Sequence, residues 1–175
     1  MENKKTSPLI IASLLLLVSN VYAEDNSFGS AKHAFGVSAG TASGGGLTFR
    51  QYLSNGFLQG RFFSVANGYD KLTNLLLGAS YGHVLSEISM VKALPPTALV
   101  LTIGADGHYT QDDIVGSGFN KFASGVGVAL EIGNTFSPGL MFSIGMNYAL
   151  VMDKDIGSWN WNLGPQLDVS MFYNW

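Results

Sequence analysis

The chain contains no cysteine, so no disulfide can hold it together and its stability has to come from a hydrogen-bonded core or from a membrane around it. Charged residues make up only 12% of the sequence, against a usual value of about 25%, which argues against a large surface facing bulk water. The 9 basic residues form no block capable of tracking a phosphate backbone, so nucleic acid is not an expected partner. Beyond the first 23 residues there is no second long apolar run, which excludes a helical membrane span in the rest of the chain. No His/Asp/Glu cluster has zinc-ligand spacing, and the glycine-rich stretches "GTASGGG" and "SGVGVA" lack the lysine and the strand-to-helix context of a phosphate loop. Neither a metal nor another cofactor is therefore expected.

What is present begins with an address. "MENKKTSPLIIASLLLLVSNVYAEDN" carries Lys4 and Lys5, an apolar run from about Leu9 to Val18, and Val21-Tyr22-Ala23 ahead of acidic residues. That three-part layout predicts a signal peptide over residues 1–23, with export of a mature chain of residues 24–175. Without Lys4, Lys5 and Glu2, 7 basic and 11 acidic residues remain, a net charge of −4. The mature length suits one domain.

The mature chain repeats one device: segments of about ten residues that alternate apolar and polar, separated by Gly, Asn, Ser, Asp or Pro. Eight are found, at 33–41, 46–53, 57–66, 73–86, 97–109, 121–133, 139–151 and 160–175. A period of two places alternate side chains on opposite faces of a strand. In 139–151, Leu140, Phe142, Ile144, Met146, Tyr148 and Leu150 share one face, while Met141, Ser143, Gly145, Asn147 and Ala149 share the other. The second face is small and weakly polar, without the Lys, Glu and Thr of a water-facing sheet. It suits the crowded interior of a small barrel. The predicted fold is all-β, a closed antiparallel eight-stranded transmembrane β-barrel. Closure is required there because every unpaired backbone group in hydrocarbon costs several kcal/mol.

An even strand count puts both chain ends on one side. Connections after segments one, three, five and seven ("ASGG", "NGYDKL", "TQDDIVGSGFN", "MDKDIGSWN") would then face outward, with the others facing the periplasm. Tyr52, Tyr81, Tyr148, Trp159, Trp161, Tyr173 and Trp175 lie near segment ends or loops more often than near segment middles, as an interfacial aromatic girdle requires.

The last stretch, "NWNLGPQLDVSMFYNW", has Leu167, Val169, Met171, Tyr173 and Trp175 at every second position, with Phe172 as the apolar exception in the other series. A terminal aromatic preceded by such a series resembles the insertion signal of bacterial outer-membrane β-barrels. With the leader and the eight segments, the mature chain resembles a small outer-membrane barrel of the OmpA transmembrane-domain and OmpX kind, in pattern and not in residue identity. The resemblance implies a Gram-negative outer-membrane location, contact with outer-membrane lipids and lipopolysaccharide, delivery by the outer-membrane assembly machinery, and a porin-like but plugged lumen. A monomer is expected.

Carrying the parity inward places Thr48, Arg50, Gln59, Arg61, Asn74, Ser80, Thr102, Asp106, His108, Glu131, Asn147, Gln166 and Asp168 in the lumen. Arg50 should face Gln59, and Thr48 should face Arg61, across the "SNG" hairpin. Arg50 and Glu131 would lie low, and Arg61 and Asp168 nearer the middle. Arg50, Arg61, Asp106, Glu131 and Asp168 are read as an internal polar network that neutralises itself, with no wide pore. Function is then expected in the outer loops, as surface interaction.

Two alternatives compete. Some eight-stranded outer-membrane barrels are lipid A deacylases, which use a His-x-Ser pair with an assisting carboxylate. His108-Tyr109-Thr110 has that spacing with threonine in place of serine, so His108 and Thr110 are the candidates for lipid-modifying catalysis. His83 with Ser86 and Glu87 has odd spacing, which predicts that His83 and Ser86 face opposite ways. The other alternative is a soluble periplasmic barrel around an apolar ligand. Asp112-Asp113 and Asp153-Lys154-Asp155, expected in outer loops, have oxygen donors suited to Ca²⁺ or Mg²⁺ but read more simply as solvated acidic pairs.

Overall fold

The computed structural model describes residues 31–40, 44–66, 73–88, 96–110, 118–133, 138–155 and 158–175. They form eight strands: β1 (His33–Gly40), β2 (Gly44–Leu53), β3 (Gly56–Ala66), β4 (Thr73–Ile88), β5 (Thr97–Thr110), β6 (Gly118–Gly133), β7 (Gly139–Asp155) and β8 (Ser158–Asn174). Each pairs antiparallel with its sequence neighbour, and β8 returns to β1, closing the barrel. Closure leaves every strand a neighbour on both sides over at least part of its length, which removes the edge problem of an open sheet.

The eight segments agree with these strands, and the differences lie at the ends. β7 and β8 run further than alternation alone indicated, to Asp155 and from Ser158. Asp153 and Lys154 therefore belong to a strand and not to a loop. Asp112 and Asp113 lie outside the described residues. The β2–β3 hairpin turns on Ser54 and Asn55, with Leu53 opposite Gly56. Gly133 and Gly139, at φ of 118° and 139°, flank the β6–β7 connection in backbone conformations that side chains resist.

Burial is inverted relative to a water-soluble barrel. Apolar side chains such as Ile103, Ile144, Met146, Leu163 and Leu167 are exposed on the outside, while Arg50, Glu131, Gln59 and Thr48 are buried inside. The interior is filled by matching glycines to bulky partners across strand pairs. Phe57 faces Gly82, Asp106 faces Gly78, Asn147 faces Gly127 and Phe172 faces Gly36. A Cβ at Gly82 would enter the Phe57 ring, and one at Gly78 would strike the Asp106 carboxylate. An eight-stranded lumen is just wide enough to be filled by side chains, so these large residues need a small one opposite.

Two bulges change the pattern that simple alternation predicts. Between Val84 and Ser86 the β4–β5 register shifts, so Ser86 faces Leu99 while His83 faces Leu101. Leu99 and Leu101 share a face, so His83 and Ser86 share one too, contrary to the odd-spacing expectation. A second bulge between His108 and Tyr109 pairs Tyr109 with Phe119 and leaves Asn120 as the extra residue of β6.

Candidate functional site

Among the described residues, the buried polar side chains lie in the lumen, in three layers. The base of the barrel is the end holding the β2–β3 turn and Trp175, and the rim is the opposite end.

The base layer centres on Arg50. Alternation along β2 turns Thr48, Arg50 and Tyr52 inward together, and the hairpin register sets Arg50 opposite Gln59 and Thr48 opposite Arg61, as expected. Arg50 Nη1 donates to Glu131 Oε1 of β6 at 2.5 Å, and Arg50 Nε donates to Gln59 Oε1 at 2.6 Å. The ion pair is shut away from solvent, with side chains 4% and 0% exposed. The guanidinium carbon also lies 3.8 Å from the ring centroids of both Phe57 and Phe172, a cation sandwiched between two π faces. Phe172, the exception in the last segment, thus has a role that its inward parity allows. Beneath, the Tyr52 hydroxyl donates to Asn174 Oδ1 at 3.0 Å. Tyr52 is fully buried in the lumen and is not a girdle residue. Its shared parity with Arg50 was the signal for this, against its position near a segment end.

The middle layer centres on Arg61. Its Nη2 donates to Asp168 Oδ2 at 2.7 Å, and Nη1 lies 3.7 Å from Asp106 Oδ2. Asp168 also accepts a hydrogen bond from the Ser170 hydroxyl at 3.0 Å, and Thr102 donates to Asn147 Oδ1 at 2.8 Å. These carboxylates retain about a fifth of their exposure, so water reaches them. They line a cavity of about 100 Å³ with Arg61, Ser80, Asn147 and Gln166. That volume holds several waters and is far from a porin channel. Two carboxylates share one guanidinium here.

The rim layer holds His108 opposite Lys121, and Lys121 Nζ lies 3.7 Å from Asp153 Oδ1. Lys121 shares its parity with Glu131, which is the signal in the sequence for its inward position. Asp153 is engaged by a lysine on the inner face instead of waving in a loop.

All five network residues are therefore lumenal. Arg50 meets Glu131, and Arg61 meets Asp168 and Asp106. Among the described residues no hydrogen bond joins His108 to Thr110. His83 sits outside, its Nδ1 3.3 Å from the Tyr81 hydroxyl, and the Ser86 hydroxyl turns to the Glu87 backbone carbonyl at 3.4 Å. Among the described residues, neither pair shows the hydroxyl-to-imidazole hydrogen bond of an activated nucleophile.

Leu167, Val169, Met171, Tyr173 and Trp175 all point outward and are exposed. Trp175 is tied into the base by backbone bonds: its N–H donates to the His33 carbonyl at 2.9 Å, and its carbonyl accepts from the N–H of Lys32 at 3.0 Å and of His33 at 3.2 Å. Its ring lies against His33 and Phe49, while Tyr109, Phe119, Phe122 and Trp159 form an aromatic run toward the rim.

No family model, curated protein or solved structure matches the chain.

Proposed function

We propose that this protein is an exported outer-membrane β-barrel of the small OmpA and OmpX kind, whose transmembrane part is a plugged scaffold and whose rim is its contact surface. The observation that carries this reading is the inverted burial. Ile103, Ile144, Met146, Tyr148, Leu163 and Leu167 are each more than half exposed on the outside, while the Arg50–Glu131 pair is buried inside. Exposing that much apolar side chain to water would cost about 25 cal/mol per Å². Facing lipid, the same surface costs nothing, and the closed ladder satisfies the backbone. Aromatic clusters toward both ends suit the two membrane interfaces.

Residues 1–23 are read as the export signal, and Leu167, Val169, Met171, Tyr173 and Trp175 as the face offered to the assembly machinery. Partners are outer-membrane lipids and lipopolysaccharide around the wall. The layered ion pairs are read as structural, because each arginine is already neutralised by fixed carboxylates.

The test is gel migration of residues 24–175 refolded into detergent, with and without boiling, beside fractionation of cells. A heat-dependent shift together with outer-membrane recovery is expected. Unshifted migration with periplasmic recovery without detergent would sink the reading and favour a soluble barrel with an apolar ligand.

A further inference from the structure

On one side of the lumen the wall carries almost no side chains. Gly104, Gly125 and Ala149 follow one another across the inner face of β5, β6 and β7, and further toward the base Ala129 faces Gly145. These residues are too small to fill an eight-stranded lumen, and the cavity of about 100 Å³ lies against them. Genuinely empty cavities are apolar. This one is lined by amides, hydroxyls and charged groups, so its occupant must form hydrogen bonds.

The polar lining is graded from one end to the other. Toward the base it consists of Gln59, Ser80 and Ser143 beside the Arg50 guanidinium. Arg50 Nε already takes Gln59 Oε1, so what Gln59 offers the cavity is its NH₂ group. That group and the hydroxyls of Ser80 and Ser143 make no hydrogen bond among the described residues, although Gln59 and Ser143 are only 8% and 5% exposed. Buried donors without partners are destabilising, so these three require an acceptor in the cavity. Asn147, whose Oδ1 is taken by Thr102, adds a second NH₂ group in the wall. The other end holds carboxylates. On β3, Gln59 lies one inward step toward the base from Arg61; on β8, Asp168 lies one inward step toward the rim from Ser170, the partner of Ser143. On β4, Ser80 lies one inward step toward the base from Gly78, the partner of Asp106. One inward step is two residues, about 7 Å along a strand. Asp168 accepts from Arg61 and Ser170, and an ionised carboxylate has about four acceptor sites, so capacity remains for a further donor.

We infer that the cavity is a binding site for a small zwitterion of the amino-acid class, its carboxylate on the Gln59 NH₂ group and the Ser80 and Ser143 hydroxyls, its ammonium between Asp106 and Asp168. Two hydrogen bonds of about 2.8 Å and the N–Cα–C–O unit between them cover the distance from donors to carboxylates. A simple anion would leave its far end against two carboxylates, and a simple cation would leave the buried donors unanswered. Only a solute with oxygens at one end and an ammonium at the other satisfies both. The site lies inside the wall and stands whether lipid or water surrounds the barrel.

The test follows the side-chain amide signals of Gln59 and Asn147 by NMR in the isotope-labelled mature chain, folded in detergent micelles. Glycine, β-alanine, acetate, methylamine and glycerol are each titrated to millimolar concentration. Glycine or β-alanine should move both signals saturably, and acetate and methylamine should bind at least about tenfold more weakly, since each lacks one charged end. The double variant Ser80→Ala/Ser143→Ala should weaken the zwitterion by about tenfold through the loss of two donors, and Asp106→Asn should weaken it without changing the response to acetate. Each variant is first checked for folding by its heat-dependent gel migration. If no solute moves the signals of the folded parent chain, the cavity holds water alone and the inference is wrong. Acetate or glycerol binding as well as glycine would also overturn it. A chain recovered without detergent that still binds glycine would sink the membrane reading and leave this site standing.

Discussion

Removing the Glu131 carboxylate isolates the strongest electrostatic commitment in the molecule. The Arg50 guanidinium would keep its charge between Phe57 and Phe172 at 3.8 Å and its bond to Gln59, but would lose the one carboxylate bonded to it among the described residues. Both partners are almost completely shielded, so water cannot take over without opening the base of the barrel. Breaking one half of such a pair costs about 3–5 kcal/mol. Glu131→Leu should therefore destabilise the barrel by roughly that amount, a factor of about 10² to 10⁴ in the folding equilibrium. Arg50→Leu should cost at least as much, because it strands Glu131 and removes two cation–π contacts worth about 0.5–2 kcal/mol each. The double variant replaces both charges with packed apolar groups and should cost less than the sum of the singles by several kcal/mol. The assay is reversible urea unfolding in vesicles, followed by ellipticity and by heat-shifted gel migration. Either single costing below about 1 kcal/mol, or three costs that add, would refute the view that this is a desolvated, coupled pair.

Four further outcomes are expected. Gly82→Ala should drive a methyl into the Phe57 ring and cost about 1–3 kcal/mol, with Phe57→Leu in the same chain recovering part of the loss, both measured as unfolding midpoints. Arg61→Leu should lower the thermal unfolding midpoint in micelles, but by less than Glu131→Leu does, since Asp106 and Asp168 remain in reach of water; an unchanged midpoint would count against an internal role. His108→Ala and Thr110→Ala should each leave the lipid A mass profile of expressing cells unchanged, and an altered profile would restore the deacylase alternative. Trp175→Ala should reduce the fraction of chains reaching the heat-shifted form in cells more than it lowers the stability of chains refolded in detergent, because an assembly signal acts on delivery; equal effects would assign Trp175 to packing against His33 and Phe49 alone.

The period-two pattern was enough to establish eight strands and, for the network residues, which face each occupies. Side-chain direction in a strand is a local property, so Arg50, Arg61, Asp106, Glu131 and Asp168 could be assigned to the interior from parity. The hairpin partners Arg50 and Gln59 followed from turn length, which is equally local. What alternation could not carry was any slip in the count. The bulge at Leu85 adds one residue to β4 and moves Ser86 to the face of His83, and nothing in "SYGHVLSE" announces it. Tyr52 departs from the girdle expectation because its parity, which turns it inward, outweighs its position near a segment end.

Height around the barrel decided the rest. Which carboxylate meets which arginine depends on how each strand is offset from the next, and those offsets accumulate through residues far apart in the chain. Arg61 and Asp168 are 107 positions apart, and Arg50 and Glu131 are 81 apart. The Phe57–Arg50–Phe172 sandwich arises the same way, from three strands brought to one level. The sequence by itself determined that the chain alternates, closes and keeps Arg50, Arg61, Asp106, Glu131 and Asp168 inside, because those follow from side-chain direction and backbone hydrogen bonding. Only the tertiary structure decided which charges neutralise one another and which bulky side chains meet a glycine across the wall, because both depend on the stagger of a closed sheet, which no single segment encodes.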